Sequence, residues 1–309
     1  MYWTVRLWAV ALFTAITSSC GDGTGLKIIP APPILFVING STQPNAINAI
    51  YAINPDGTGQ QRLTDGTHFD GASTWSADGQ RIGFSSGRDG QIELYTMRAD
   101  GSRQERLTHT PIDAGAAAPR LLMGSWSTKN VLAYVHVPPF ESQGILMTMP
   151  AGGGTATALT TGNQTLSANA WSADGNRILF TSTRVGGSSH LFVINADGTG
   201  LTQITSGASG DGDGSWSPDG QRIAFVRFVG TEPTHIWVVN ADGTNPIQLT
   251  TGTRYDVSPS WSPDGTEIAF ASSRDGEGDI YIMKADGTNV RRLTTTAMRK
   301  TGVHWRRTL

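Results

Sequence analysis

Along this chain, apolar residues come in short bursts of about five, each ended by Gly, Asp, Pro or Ser. The stretch Asp256–Thr294 shows the rule. Asp256–Ser262 runs through a tryptophan, Trp261, into Pro263-Asp264-Gly265. That is a tight-turn sequence, because Gly accepts positive φ and Asp hydrogen-bonds its own backbone. Glu267–Ala271 (EIAFA) is β-branched and aromatic, Ser272–Gly278 reads as a loop, and Asp279–Met283 (DIYIM) alternates as a strand does. Ala285-Asp286-Gly287-Thr288 turns the chain again before the short Val290–Thr294. The pattern predicts four antiparallel strands per unit. No stretch carries the 3.6-residue period of an amphipathic helix.

The unit recurs. Trp-Ser-x-Asp-Gly occurs at Trp75, Trp171, Trp216 and Trp261, with degenerate copies at Trp126 and Trp305, spaced 51, 45, 45, 45 and 44 residues apart. A second string like Asn-Ala-Asp-Gly-Thr runs between the tryptophans, at Asn54, Arg98, Asn195, Asn240 and Lys284, with a degraded copy at Met149. Leu-Thr or Ile-Thr closes each unit, at Leu63, Leu107, Leu159, Ile204, Leu249 and Leu293. Six four-stranded repeats of this length are the signature of an all-β, six-bladed β-propeller. The first unit starts at Ile34 without a Trp strand, and the last Trp strand, Thr301–Trp305, has no unit after it. The C-terminal strand is therefore expected to complete the first blade, pairing two edges that are otherwise exposed.

The repeat WSPDG, IAF, SSRDG, IYIM, ADGT and LT resembles that of the TolB-type propellers, over residues 34–309. The resemblance implies the fold firmly and the activity weakly, since similar propellers serve as scaffolds, lyases and peptidase side-domains. The periplasmic members that name the family carry an α/β domain ahead of the propeller. Here the segment from Cys20 to Ile34 is expected to leave no room for one.

Composition narrows the picture. Among 309 residues there are 38 glycines, 23 Lys+Arg against 25 Asp+Glu, and only 16 % charged residues. The balance lacks the basic excess of a nucleic-acid binder. A hydrophobic content of 38 % excludes disorder throughout. The single cysteine excludes an intramolecular disulfide and any CxxC motif. That cysteine, Cys20, ends the stretch MYWTVRLWAVALFTAITSSC, in which Arg6 precedes an apolar run from Leu7 to Ile16. Residues 1–20 read as a secretory signal too short to span a bilayer. They resemble a bacterial lipoprotein signal in which Cys20 is lipidated, although Thr17 stands where that family prefers an aliphatic residue. Residues 21–33 read as a flexible tether. The expected location is the periplasm or the outer membrane, with the membrane touched only through the lipid.

Strand order puts the Pro-Asp-Gly and Ala-Asp-Gly turns on one face, nearly identical in every blade. The opposite face collects variable loops, including His68-Phe69-Asp70, His109–Arg120, Ser206–Gly214 and Thr251–Asp256, and variable loops on a repeated frame are where binding resides. Five residues before each Trp, at the expected channel mouth, stand Asp70, Leu121, Leu166, Asp211, Asp256 and Lys300. Thirteen after it stand Arg88, Arg184 and Arg274. Asp70 with Arg88, and Asp256 with Arg274, read as intrablade ion pairs, or else as part of a ring that binds a cation or basic group. Asp211 has Val229 at the arginine position and reads as the unpaired acid. His68 is a further binding candidate at this mouth.

Other motifs carry less. Asp211-Gly212-Asp213-Gly214 invites a calcium reading but lacks the bidentate acid of an EF-hand, and reads as a polar glycine loop. His190 and His235, 45 residues apart, hold one position in adjacent blades, so repeat equivalence explains them better than a shared metal. Gly83-Phe84-Ser85-Ser86-Gly87 matches G-x-S-x-G without the strand–turn–helix that such a nucleophile needs. The recurring tryptophans are expected to pack between blades. No catalytic set, metal site or cofactor is expected. The reading is a monomeric, non-catalytic envelope module that binds a protein or peptide on its loop face. The alternative is a metal-assisted lyase or hydrolase acting on an oligosaccharide or lactone at the channel mouth.

Overall fold

The computed structural model describes residues 33–40, 48–111, 116–162, 164–295 and 298–307. The signal, the tether and Cys20 lie outside the described residues. Twenty-four strands form six antiparallel four-stranded sheets, the blades of a propeller. We number the blades in chain order. The inner strands of blades 2–6 are Asp70–Trp75, Arg120–Trp126, Thr165–Trp171, Gly210–Trp216 and Asp256–Trp261.

Blade 1 closes the ring as the repeat count requires. Its inner strand is Lys300–Trp305, paired antiparallel to Ile34–Ile38, with Ile34 opposite Trp305 and Ile38 opposite Lys300. The last strand of the chain thus covers the edge of the first, and the exposed hydrogen-bonding edge of an open ring is removed.

The turns are built by the residues that predicted them. In each Ser-x-Asp-Gly turn the serine hydroxyl donates to the aspartate, as Ser76 does to Asp78 at 2.6 Å, and the next backbone N–H donates to the same carboxylate, as Gln80 does at 3.0 Å. Glycines such as Gly79, at φ 66°, supply the left-handed step. Such bonds hold Asp174, Asp219 and Asp264 below their ordinary pKa; in Asp174, bonds from Ser172 and Asn176 lower it to about 2.

The core lies between blades. One apolar cluster joins Leu35 and Ile50 of blade 1 to Trp75, Phe84 and Tyr95 of blade 2, and corresponding clusters fill the other five junctions. The tryptophans are buried there, Trp216 completely. Several carry an arginine from the preceding blade on their ring: Arg81 over Trp126, Arg177 over Trp216 and Arg222 over Trp261, at 5.9, 5.1 and 4.8 Å. Each such stack joins blade to blade through cation–π attraction. Ser85, the serine of the hydrolase-like string, is likewise a junction residue. Its hydroxyl donates to Leu121 O at 2.9 Å and accepts from Met123 N–H at 2.7 Å.

Candidate functional site

In blades 2–6 the first or second residue of the inner strand sits at the loop face, where its backbone N–H stitches it to the preceding blade. Asp211 donates to Ser189 O at 2.7 Å, Asp256 to Thr234 O at 2.9 Å and Thr165 to Gly144 O at 2.9 Å. Register assigns the places. Asp70 pairs with Ser86, Thr165 with Ser182 and Asp256 with Ser272. Thr165, rather than Leu166, therefore holds the aspartate position in blade 4, because that inner strand contains an extra residue taken up by irregular register.

The three aspartates do not form an open acidic ring, and each is buried. Asp70 Oδ1 accepts from Arg88 Nη2 and Asp256 Oδ1 from Arg274 Nη2, both at 3.0 Å. Asp211 is not the unpaired acid expected from sequence. Arg227 Nε meets its Oδ1 at 2.7 Å and Arg227 Nη2 its Oδ2 at 3.3 Å. The arginine of blade 5 sits two residues earlier, directly across the ladder from Asp211, and Val229 is irrelevant to the pair.

The histidines complete a second set of contacts across blade junctions. His190 Nδ1 lies 3.6 Å from Asp211 Oδ2 of the next blade, and His235 Nδ1 lies 3.8 Å from Asp256 Oδ2. At the corresponding junction of blades 6 and 1 the polarity is reversed, with Lys300 Nζ 2.8 Å from Asp279 Oδ1. His190 and His235 thus face different carboxylates and not each other. Among the described residues no group of three or more His, Cys, Asp and Glu is placed to hold a metal. His68 is exposed on its loop, apart from these pairs.

Arg88, Arg184 and Arg274 each also lie over two aromatic rings, one from the second strand and one from the third. Arg88 is 5.2 Å from Phe84 and 5.0 Å from Tyr95, Arg184 5.1 Å from Phe180 and 5.4 Å from Phe192, and Arg274 5.1 Å from Phe270 and 5.0 Å from Tyr281. Arg227 reaches the same place over Phe225 and Trp237, at 5.2 and 4.7 Å. A planar, weakly hydrated guanidinium suits this seat.

A channel runs along the axis. Its cavities, about 170 and 110 Å³, share His304, Trp305 and Arg307 in their walls. Three residues before four of the tryptophans the inner strand bulges into a left-handed conformation, at Ala72, Asp213, Ser258 and Gly302, with φ of 46, 51, 54 and 62°. Such a bulge turns one extra residue toward the lumen. The Asp-Gly-Asp-Gly run is accordingly strand, not loop. It buries Asp211 and points Asp213 into the channel, where Asp213 accepts from Ser258 N–H at 3.2 Å. Enclosure by protein raises the Asp213 pKa. Arg307 crosses the lumen toward the turn face, donating to Trp171 O at 3.0 Å and Trp216 O at 3.3 Å. Burial lowers its pKa to about 10, and burial together with Arg307 lowers that of His304 to about 4. Single-residue motifs gave no sign of this lining, because the bulge shifts the inward residue off the simple alternation.

The loop face also carries a feature that spacing arguments missed. Phe69, Phe140, Val185, Phe228, Val229, Tyr255 and Met298 are all exposed there, Phe140 at 98 %. Phe140 holds φ at 64°, an unfavourable conformation for a bulky residue. Loops and, for Phe228, a strand end hold these residues, so only their shared face groups them.

Fold and site together define a closed six-bladed propeller whose turn face is spent on structure and whose loop face varies. The TolB beta propeller domain family matches residues 116–233 and 229–307, and the chain belongs to that family. The crystal structure of TolB from Acinetobacter baumannii superposes with a TM-score of 0.73 at 18 % identity, covering 89 % of this chain and 66 % of that one. A putative TolB from Agrobacterium tumefaciens gives 0.68 at 21 % identity, covering 87 % and 90 %. Over 62 residues the chain is 34 % identical to dipeptidyl-peptidase 5 of Porphyromonas endodontalis, a match spanning 20 % of this chain and 9 % of the peptidase.

Proposed function

We propose that this propeller is a non-catalytic protein-interaction module of the bacterial cell envelope, held to a membrane through a lipid on Cys20. A protein or peptide binds on the loop face. The observation that carries the reading is the gathering of exposed apolar side chains there, with Phe140 fully presented. Aromatic residues at the centre of a contact supply most of the binding energy in protein interfaces. Buried Arg–Asp pairs lie next in sequence to Phe69, Phe228 and Tyr255 and preorganise that part of the surface. The lyase alternative needs several acids and histidines converging on the axis, and among the described residues the channel walls offer only Asp213 and His304.

The test is affinity capture from a detergent-solubilised envelope extract, comparing the wild-type propeller with Phe140→Ser and with Phe228→Ser/Tyr255→Ser. The expected result is a saturable protein ligand lost in the variants. Stoichiometric transition metal in chelator-free protein, together with no retained protein, would overturn the reading. In cells, Cys20→Ala is expected to move the protein from the membrane to the soluble fraction.

A further inference from the structure

Blade 4 breaks the charge pattern of its siblings at one place. Arg184 is held as Arg88 and Arg274 are: its Nε donates to Ser182 Oγ at 2.9 Å, as theirs do to Ser86 and Ser272 at 2.8 and 2.9 Å. In the siblings the Nη2 atom then meets an aspartate carboxylate at 3.0 Å. In blade 4 the aspartate position is Thr165, and Arg184 Nη2 is buried with no partner. A second acid is missing as well. Asp89 and Asp275 follow the sibling arginines and take hydrogen bonds from Tyr95 and Tyr281, whereas Val185 follows Arg184 and Phe192 replaces the tyrosine. Burial lowers the Arg184 pKa, and among the described residues no carboxylate stands against the guanidinium.

We propose that the vacancy beside Arg184 is a binding site for a carboxylate, supplied by an acidic side chain or the C-terminus of the loop-face partner. This rests on the interaction-module reading and names the chemistry of its ligand. The carboxylate reaches Nη2, which the surrounding side chains now cover, and takes the role that Asp70 and Asp256 play at that atom in blades 2 and 6. Planar, charge-assisted pairing of this kind favours a carboxylate over a spherical anion. The surroundings fit an acidic residue flanked by an apolar one. Thr183 Oγ1 donates to Gln143 Oε1 at 2.7 Å, which ties the Arg184 loop to the loop of blade 3 that presents Phe140, and Val185 is exposed on the other side.

The experiment follows the arginine Nε–H signals by NMR in protein labelled with 15N-arginine. The probe is N-acetyl-glutamic acid α-amide, with N-acetyl-glutamine amide in sodium chloride of matched ionic strength as control. The expected result is a saturable shift of the Arg184 signal with the acid alone, while Arg88, Arg227 and Arg274, already paired, stay still. Thr165→Asp places the chain's own carboxylate at the vacancy and is expected to abolish the response. An Arg184 signal that ignores the acid, moves equally with the control, or responds unchanged in Thr165→Asp overturns the site. In the envelope capture, Arg184→Gln is expected to weaken retention about tenfold. A partner retained equally by Arg184→Gln overturns the proposal and leaves the module standing. Saturable acid binding with no protein retained supports the site and overturns the module.

Discussion

Arg227 and Asp211 face each other across the ladder of blade 5, Nε to Oδ1 at 2.7 Å, and put a guanidinium where three other blades use an arginine two residues further on. The same seat over two aromatic rings is therefore reached from two sequence positions. What the repeat conserves is a place in space and not a column of the sequence.

That pair carries the first prediction. Asp211 is fully buried, and beside Arg227 it faces only the His190 imidazole, 3.6 Å away, among the described residues. Arg227→Ala leaves a buried carboxylate without its principal counter-charge and is expected to cost about 3–5 kcal/mol. Urea unfolding at neutral pH measures it. A loss below about 1 kcal/mol would show that water reaches the carboxylate.

The bulges give a second prediction of opposite sign. Ala72 and Gly302 occupy one position in neighbouring blades, both left-handed, yet only Gly302 is free of the Cβ penalty. Ala72→Gly is expected to stabilise the protein by about 1 kcal/mol and Gly302→Ala to destabilise it by a similar amount. Paired thermal melts of the two variants decide the matter.

Ring closure is tested by truncation. Without residues 301–309, the strand Ile34–Ile38 loses its partner, and Trp305 and Val303 leave the junction core of blades 1 and 6. The expected outcome is loss of the cooperative transition, seen by calorimetry, with aggregation through the bared edge. A melt unchanged by the deletion would mean that the ring does not depend on its last strand.

The channel predicts a pH dependence. His304 titrates near 4 in the fold and near 6.5 when unfolded, so the unfolded chain binds the proton first. Its contribution to stability is complete above pH 6.5 and is lost as pH falls from 6.5 toward 4, on the order of 1–3 kcal/mol. His304→Gln is expected to flatten the urea midpoint over that window. The turn carboxylate Asp174 acts later: its stabilisation is present above its unfolded value near 3.8 and is lost as pH falls through about 2.

Much of this was open to reading from residues. The six tryptophans, the aspartate–glycine turns and the orphan terminal strand state the blade count and the closure, because local turn chemistry and strand period are short-range properties. The Arg88–Asp70 and Arg274–Asp256 pairs followed from the same spacing, since those two blades share one register, each with a single bulge at the same place in its inner strand. The spacing failed where a single residue was added or moved. An extra residue made Thr165, not Leu166, the occupant of the aspartate position, and Arg227 replaced the absent arginine of blade 5. A residue count cannot see a bulge that is settled by packing against the next blade.

The sequence by itself thus determined the propeller, its six blades, its closure and the face on which variation is concentrated, all of which rest on repetition and on turn residues. Only the tertiary structure decided which charges are spent on each other. The partners of Asp211, Asp256 and Lys300 come from strands about 20 residues away or from the neighbouring blade, as do His190, His235 and Asp279. Such pairing depends on register and junction geometry, which is why Arg184, the one of the four arginines seated over paired aromatic rings that lacks a carboxylate, emerges only when the blades are laid over one another.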